Sequence, residues 1–309
     1  MAKYVRPKAL KKGDVIGFVA PARPVEPSKL ERAVRFVEGF GFKVKVGRSC
    51  YLRHGYLAGE DGVRASDLMN MFVDPEVSAV FAVRGGYGSL RLLNLLDYGL
   101  ISKNPKVLLG YSDITALHIA LNQKAGLITF HGPMPTVEFI SEELDEVTKE
   151  YLIKALTTSE PLGEIAGEEM LVKGFAEGEV VGGNLSLIVS TLGTPYEIDT
   201  KGKILVLEEV NEKPYRVDRM LTQLRLSGKL DQAAGIVLGH FTNCETDNPE
   251  ESLTLNQVFE EVLKPLNKPI LKGVKFGHGK PNITIPLGVK ASIDPKEVAL
   301  IIEESATEP

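Results

Sequence analysis

Along the first 135 residues the apolar positions alternate between two kinds of run. "DVIGFVAP" (14–21), "FKVKVG" (42–47), "VSAVFAVRGG" (77–86), "KVLLGYS" (106–112) and "GLITFHGP" (126–133) are short and β-rich. Between them lie "PSKLERAVRFVEGFG", with Leu30, Ala33, Val34, Val37 and Phe40 at helical spacing, then "RASDLMNMFVD", "GSLRLLNLLDYG" and "DITALHIALNQKAG". Strand–helix units repeated at this length predict a parallel sheet flanked by helices.

The rhythm breaks between Ser141 and Gly167. An acidic helical stretch, "SEELDEVTKEYLIKAL", runs into the turn residues of "TTSEPLGE", and the spacing predicts a linker over 141–167. Beyond it the pattern is mixed. "EGEVVGGNLSLIVSTLG" predicts strand, turn and helix; "GKILVLEEV" and "AAGIVLGHF" predict strands around the amphipathic "YRVDRMLTQLRLSG"; "NITIPLGVKASID" and "EVALIIEE" predict a terminal hairpin. The pattern divides the chain into 1–140, an α/β domain, and 168–309, a strand-rich α+β domain. There is no internal repeat and no low-complexity tract.

Composition narrows the function classes. The 309 residues suffice for one large domain or two ordinary ones, with 43% apolar and 25% charged residues, the balance of a globular protein. A net charge of −5 supplies no basic stripe for nucleic acid and no polybasic patch for anionic membranes. The first apolar stretch, "VIGFVAPA", is too short and too interrupted for a signal segment and reads as a buried strand. Cys50 and Cys244 stand far apart in no ligand spacing, so a reducing cytoplasm is the expected compartment. The chain has no tryptophan.

Two strand-to-helix turns carry the candidate chemistry. In "LLGYSDITALH" (108–118), Gly110 permits a sharp turn, and Ser112 or Asp113 suits a helix N-cap. The same geometry would push the Ser112 hydroxyl outward beside N–H groups at the positive end of a helix. Ile114 stands where a G-x-S-x-G elbow has its second glycine. In "AVRGGYGSLRLL" (82–93), Gly85, Gly86 and Gly88 allow either tight turning or close approach to a ligand. A dinucleotide fingerprint counted from Gly86 meets Arg91 in place of its third glycine. The N–H groups of Gly86 and Asp113 offer a third use, as donors to a carbonyl oxygen gaining charge.

A serine nucleophile needs a base and an orienting acid. Of His54, His118, His131, His240 and His278, the last lies in the loop "KFGHGKPN", free to project. His118 falls inside a helix and is expected to be packed. Glu208 and Glu209 end an apolar strand, where alternation sends the two side chains to opposite faces. Metal chemistry finds no H-E-x-x-H, no paired cysteines and no clustered histidines, and there is no Walker-type phosphate loop.

Taken in order, "YLAGEDGVRASDL", "AVRGGYGSLRLL", "GYSDITALH", "GGNLSL", "ILVLEEV…PYRVDRML" and "GHGKPNITIPLG" closely resemble the LD-carboxypeptidase family of serine peptidases, which includes muropeptide carboxypeptidases and microcin C immunity proteins. The resemblance runs from about residue 13 to about 303. It implies an N-terminal doubly wound, flavodoxin-like domain, a C-terminal domain with a partly barrel-like core, and a homodimer. It implies a Ser–His–Glu triad of Ser112, His278 and Glu208, with Gly86 and Asp113 as oxyanion donors. Because the first domain carries Ser112 and the second carries Glu208 and His278, the resemblance implies an active site formed between domains. No cofactor, metal, nucleic acid or membrane is implied. The implied reaction cleaves the amide between an L-centre and a terminal D-amino acid, as in release of D-alanine from murein tetrapeptides. A carboxypeptidase must also hold a free carboxylate; Arg84 is the expected contact and Asn184, in "GGNL", a second.

Three other readings stay open. Microcin C-type hydrolases cleave an aminoacyl-nucleotide, and family members of that kind stack aromatic groups, tryptophan included, on the base. An α/β-hydrolase esterase shares the order serine, acid, histidine but should carry an intact elbow and an HGGG-type loop. A non-catalytic binding module would use the glycine loops without needing Ser112.

Overall fold

The computed structural model describes residues 4–140, 144–246, 248 and 250–309. They fall into two compact units: residues 1–160 with Ile283–Gly288 and Ser305–Pro309, and Pro161–Asn282 with Val289–Glu304.

The first unit holds a six-stranded sheet. Its parallel strands are β1 (Val15–Val19), β2 (Lys43–Val46), β3 (Val77–Ala82), β4 (Val107–Gly110) and β5 (Thr129–His131), in the spatial order 2-1-3-4-5. This is the flavodoxin-like doubly wound order, in which ligands bind beyond the carboxyl ends of the strands where the order reverses, here between β1 and β3. Each residue of β4 is buried, as expected of a central parallel strand covered on both faces. Helix α1 (Pro27–Gly39) starts on a proline, whose missing N–H costs nothing in a first turn, and buries Leu30, Ala33 and Val37. Helices α2 (Asp61–Val73), α3 (Tyr98–Lys103) and α4 (Thr115–Ala120) complete the alternation. The helical spacing of 88–99 resolves differently from its expectation: Ser89–Leu95 form a 3₁₀ run. Three residues per turn still stack Ser89 and Leu92 on the buried side.

The expected linker divides between the units. Its acidic stretch forms α5 (Glu146–Thr157), which buries Leu152, Ala155 and Leu156 and accepts the Leu10 N–H at the Leu156 carbonyl, 2.8 Å away. That apolar face ties residues 144–160 to the first unit, and residues 141–143 lie outside the described residues.

The second unit holds eight strands: β6 (Gly163–Ala166), β7 (Glu169–Val172), β8 (Ala176–Asn184), β9 (Ile204–Val210), β10 (Gly235–Thr242), β11 (Ile270–Lys272), β13 (Lys290–Asp294) and β14 (Ala299–Ile302). β12 (Ile285–Leu287) lies between them in sequence but belongs to the first unit. The order is 6-14-13-8-9-10-11-7, with β8 to β11 parallel and the outer strands antiparallel. Among the described residues the end strands β6 and β7 do not pair, so the sheet is open and the barrel-like core does not close. Helices α6 (Leu185–Thr191) and α7 (Pro214–Leu226) follow β8 and β9.

The terminal hairpin forms from β13 and β14, whereas "NITIPLG" takes another course. Its β12 pairs antiparallel with β5 at the edge of the first sheet. An edge strand tolerates Pro286 because one side of it needs no ladder donor. Among the described residues no helix is long and apolar enough to cross a membrane.

One side chain fastens the loops of the first unit. Arg64 is fully buried and donates to the carbonyls of Pro21, Gly59 and Gly88 while pairing with Asp61. Pro21 follows β1 and Gly88 follows β3, so this guanidinium sets the two loops that flank the reversal point. Arg64→Met strands those carbonyls and leaves Asp61 to Arg91 alone, and it should lower stability by about 3–5 kcal/mol, read as a fall in urea midpoint. A change under about 1 kcal/mol would remove Arg64 from this role.

Candidate active site

Ser112 leaves β4 through Tyr111, whose backbone is extended, and adopts φ +62 before the chain turns into α4. A left-handed residue bearing a Cβ costs roughly 1–3 kcal/mol and persists only where its surroundings hold it. The serine takes this strained conformation with Ile114 standing where the elbow motif has its second glycine. Ile114 at that position is fully buried.

Gly85 explains how the neighbouring loop comes so close. A Cβ there would stand 3.0 Å from Ser112 Cβ, 3.2 Å from Ser112 Oγ and 3.4 Å from the Asp113 nitrogen. Gly86 follows at φ +117, which an L side chain rarely adopts, and Arg23 packs across its Cα. The Asp113 N–H belongs to the first turn of the helix, where donors lack an intrahelical acceptor. The Asp113 carboxylate does structural work: it accepts the Ser89 N–H at 2.8 Å, while Ser89 Oγ donates to the Asp113 carbonyl. Those two bonds tie the glycine loop to the serine turn. Burial pushes the Asp113 carboxyl up from its usual range, against the hydrogen bonds from Ser89 and Gly88.

In the second unit Glu208 and His278 meet. His278 Nδ1 donates to Glu208 Oε2 at 2.6 Å, with Glu208 at 0% exposure and the His278 side chain at 17%. The contact depends on Gly277, since a Cβ there would collide with Glu208 Oε2 at 2.6 Å and with its Cγ at 2.7 Å. Thr242 Oγ1 donates to the His278 carbonyl at 2.8 Å, and Asn282 Oδ1 accepts the Gly277 N–H at 3.0 Å. Thr242 and Asn282 were not singled out in the sequence. The signal that marks them is a polar residue at a strand end and another just past the "GHG" turn.

Strand alternation sends Glu209 elsewhere, as expected for neighbours on β9. Its Oε1 accepts from Asn184 Nδ2 at 3.0 Å, and its Oε2 accepts from Ser186 N–H at 2.8 Å and Ser186 Oγ at 2.6 Å. Burial pushes the Glu209 carboxyl pKa up from its usual range, with the Ser186 hydroxyl chief among the opposing bonds.

The two expected substrate contacts both make bonds within the protein. Asn184 is 3% exposed, donates to Glu209 and caps α6 by accepting the Leu187 N–H at 3.3 Å, which leaves almost no surface for a ligand. Arg84 is half-buried and donates to the Pro24 carbonyl at 3.1 Å. Its pKa is lowered by burial first and then by the charge of Arg23. Arg23 was passed over in the sequence; its signal is its place in the loop that follows β1.

The other histidines are accounted for. His54 is exposed, and His240 donates from Nε2 to the Pro281 carbonyl at 2.9 Å. His131 is buried beside Tyr111 and His118. His118 is packed as expected, its Nε2 donating to the Gly110 carbonyl at 2.8 Å, and burial drops its pKa to about 4. Both cysteines are free and buried, and among the described residues no group of three or more His, Cys, Asp or Glu could hold a metal ion.

Comparison with known proteins gives a consistent picture. Family models describe residues 16–132 as an LD-carboxypeptidase N-terminal domain and 177–293 as an LD-carboxypeptidase C-terminal domain. A Bacillus subtilis protein named "Probable murein peptide carboxypeptidase" is 46% identical over 305 residues, 98% of this chain and 96% of its own length. The crystal structure of muramoyltetrapeptide carboxypeptidase from Oxalobacter formigenes matches with a TM-score of 0.85 at 32% identity, covering 94% of this chain and 99% of that one. The microcin C7 self-immunity protein MccF of Escherichia coli is 31% identical over 318 residues, 91% of each chain. A solved structure of MccF with aspartyl sulfamoyl adenosine matches with a TM-score of 0.89, covering 98% of this chain and 100% of that one.

The depressed His118 pKa predicts a pH effect on stability. The unfolded chain protonates this histidine near pH 6.5 while the folded one resists until about 4. Its contribution is therefore complete above 6.5 and lost as pH falls towards 4. His118→Gln keeps a donor for Gly110, and its stability loss between pH 7 and 4.5 should be smaller than that of the parent by about 2–3 kcal/mol, measured by urea unfolding. Identical losses would place the acid sensitivity elsewhere.

Proposed function

This chain belongs to the LD-carboxypeptidase family of peptide hydrolases, and we propose that it releases the C-terminal D-amino acid from murein tetrapeptides by a serine mechanism. The observation that carries the mechanism is the Glu208–His278 contact. With Nδ1–H donated to a buried carboxylate, the tautomer makes Nε2 the basic nitrogen of the ring. The substrate class follows from the near-full-length likeness to a murein peptide carboxypeptidase.

In this reading Ser112 Oγ attacks the scissile carbonyl at the L-centre of the stem's diamino acid as His278 Nε2 takes the hydroxyl proton. The carbonyl oxygen becomes an oxyanion held by the N–H groups of Gly86 and Asp113, each worth roughly 2.7–4 kcal/mol in the transition state. His278 then gives the proton to the departing amine, the C–N bond breaks and D-alanine leaves. Water, deprotonated by the same imidazole, attacks the acyl-enzyme and restores Ser112. Glu208 keeps the ring oriented and stabilises the imidazolium. Well-placed proton transfer of this kind contributes about 10²–10⁴-fold. We place the reaction in the cytoplasm, in keeping with two free, buried cysteines, and expect a homodimer.

An aminoacyl-nucleotide would suit the same nucleophile and donors, and MccF is a structural neighbour. The absence of tryptophan here favours the murein peptide, because the resemblance assigns tryptophan to nucleobase stacking in that branch.

Incubation with a disaccharide-tetrapeptide should release D-alanine, seen as mass loss in the stem, and faster than any cleavage of an aminoacyl-nucleotide. Ser112→Ala should lower kcat by at least about 10⁴-fold, and Glu208→Gln by about 10³–10⁴-fold. Glu209→Gln should stay within about tenfold of the parent, since its carboxylate faces Ser186 and not the imidazole. Chelator should change nothing. An inactive Glu209→Gln beside an active Glu208→Gln would exchange the two acids, and activity lost in chelator would replace the serine mechanism with a metal-assisted one.

A further inference from the structure

We propose that Arg23 receives the terminal carboxylate of the peptide and so makes the enzyme an exopeptidase. The inference rests on the peptidase reading above and adds its specificity determinant.

The starting point is an uncompensated cation. Among the described residues Arg23 makes no hydrogen bond and no ion pair, and it is exposed. It also stands close enough to Arg84 for its charge to disfavour the Arg84 guanidinium. Two like charges side by side raise the local positive potential. Glu26 opposes it only in part, because Glu26 also pairs with Arg53 at 3.2 Å. Arg84 is half-buried and committed to the Pro24 carbonyl. Arg23 is the fork left to bind an anion.

Its position suits a carboxylate next to the scissile bond. A Cβ at Gly86 would lie 2.4 Å from Arg23 Cδ and 3.1 Å from its Nε, so the side chain runs flat across the Gly86 Cα. Gly85, one residue back, is the one whose Cβ would touch Ser112 Oγ at 3.2 Å. The guanidinium thus begins about one Cα–Cα step of ~3.8 Å beyond the residue that abuts the nucleophile. In the substrate, three bonds separate the scissile carbonyl carbon from the terminal carboxylate carbon, a span of about 3–4 Å by standard bond lengths. With the carbonyl oxygen at the Gly86 N–H, a C-terminal carboxylate falls within reach of Arg23. A planar guanidinium presents two parallel N–H groups to the two carboxylate oxygens, which a single point charge does not. The loop lies beyond the carboxyl ends of β1 and β3, at the reversal point where doubly wound sheets bind ligands.

The test compares two stems with the parent, Arg23→Ala and Arg23→Lys: a tetrapeptide ending in D-alanine and the same peptide ending in D-alaninamide. The parent should prefer the free acid. Arg23→Ala should lose about 10–10²-fold in kcat/KM for the acid, mainly through KM, while its rate on the amide stays within about threefold of the parent. Arg23→Lys should recover part of the preference, because it restores charge without the fork. Arg84→Ala should slow both substrates alike by loosening the loop at Pro24. An Arg23→Ala variant that keeps the parent's preference for acid over amide overturns this inference alone. A parent that releases no D-alanine from the acid stem overturns the peptidase reading and this inference with it.

Discussion

The backbone of Ser112 carries a cost that its neighbours must offset. At φ +62, a residue with a Cβ relaxes unless something holds it, and here the restraints come from both directions along the chain. Behind it, β4 is buried on both faces and locked into parallel pairing with β3 and β5. Ahead of it, Asp113 binds Ser89, and Gly85 leaves no side chain to crowd the turn. Arg64 then anchors the loop holding Gly88 to the one holding Pro21. Strain at one residue is thereby spread over several buried polar contacts, and the hydroxyl is aimed by a rigid scaffold.

The second unit prepares its histidine by a different device. Glu208 is a fully buried carboxylate at the end of the apolar strand β9, and its partner is the imidazole at 2.6 Å. In a low-dielectric setting such a hydrogen bond is strengthened, and a missing partner is correspondingly costly. Gly277 is the steric condition for that contact, and Thr242 and Asn282 hold the loop that presents the ring. Period-two alternation on β9 gives the adjacent Glu209 a separate task, bracing Asn184 and Ser186 where α6 begins.

The two arginines reach one region from separate parts of the chain. Arg84 adjoins the glycine loop in sequence, and its guanidinium bonds to Pro24. Arg23, 61 positions before Arg84 in the chain, is the cation that lies on Gly86. The two loops follow β1 and β3, which are adjacent in space but separated in sequence by β2 and α2. No local pattern records that adjacency.

The sequence by itself determined the kinds and order of most elements, because burying a strand or a helix face imposes a period that local composition must carry. It also marked Ser112, Glu208 and His278 as candidates, since turns and strand ends use recognisable residue types. Tertiary structure decided what depends on distant partners. It set β12 against β5, took α5 into the first unit, left the eight-stranded sheet open, and turned Glu208 rather than Glu209 towards His278. It also gave Asn184 and Arg84 their structural bonds, and among the described residues it left Arg23 without one. Each of these outcomes is a choice among partners of equal local merit. Such choices are settled by close packing and by the cost of burying polar groups unpaired, which act only when remote segments meet.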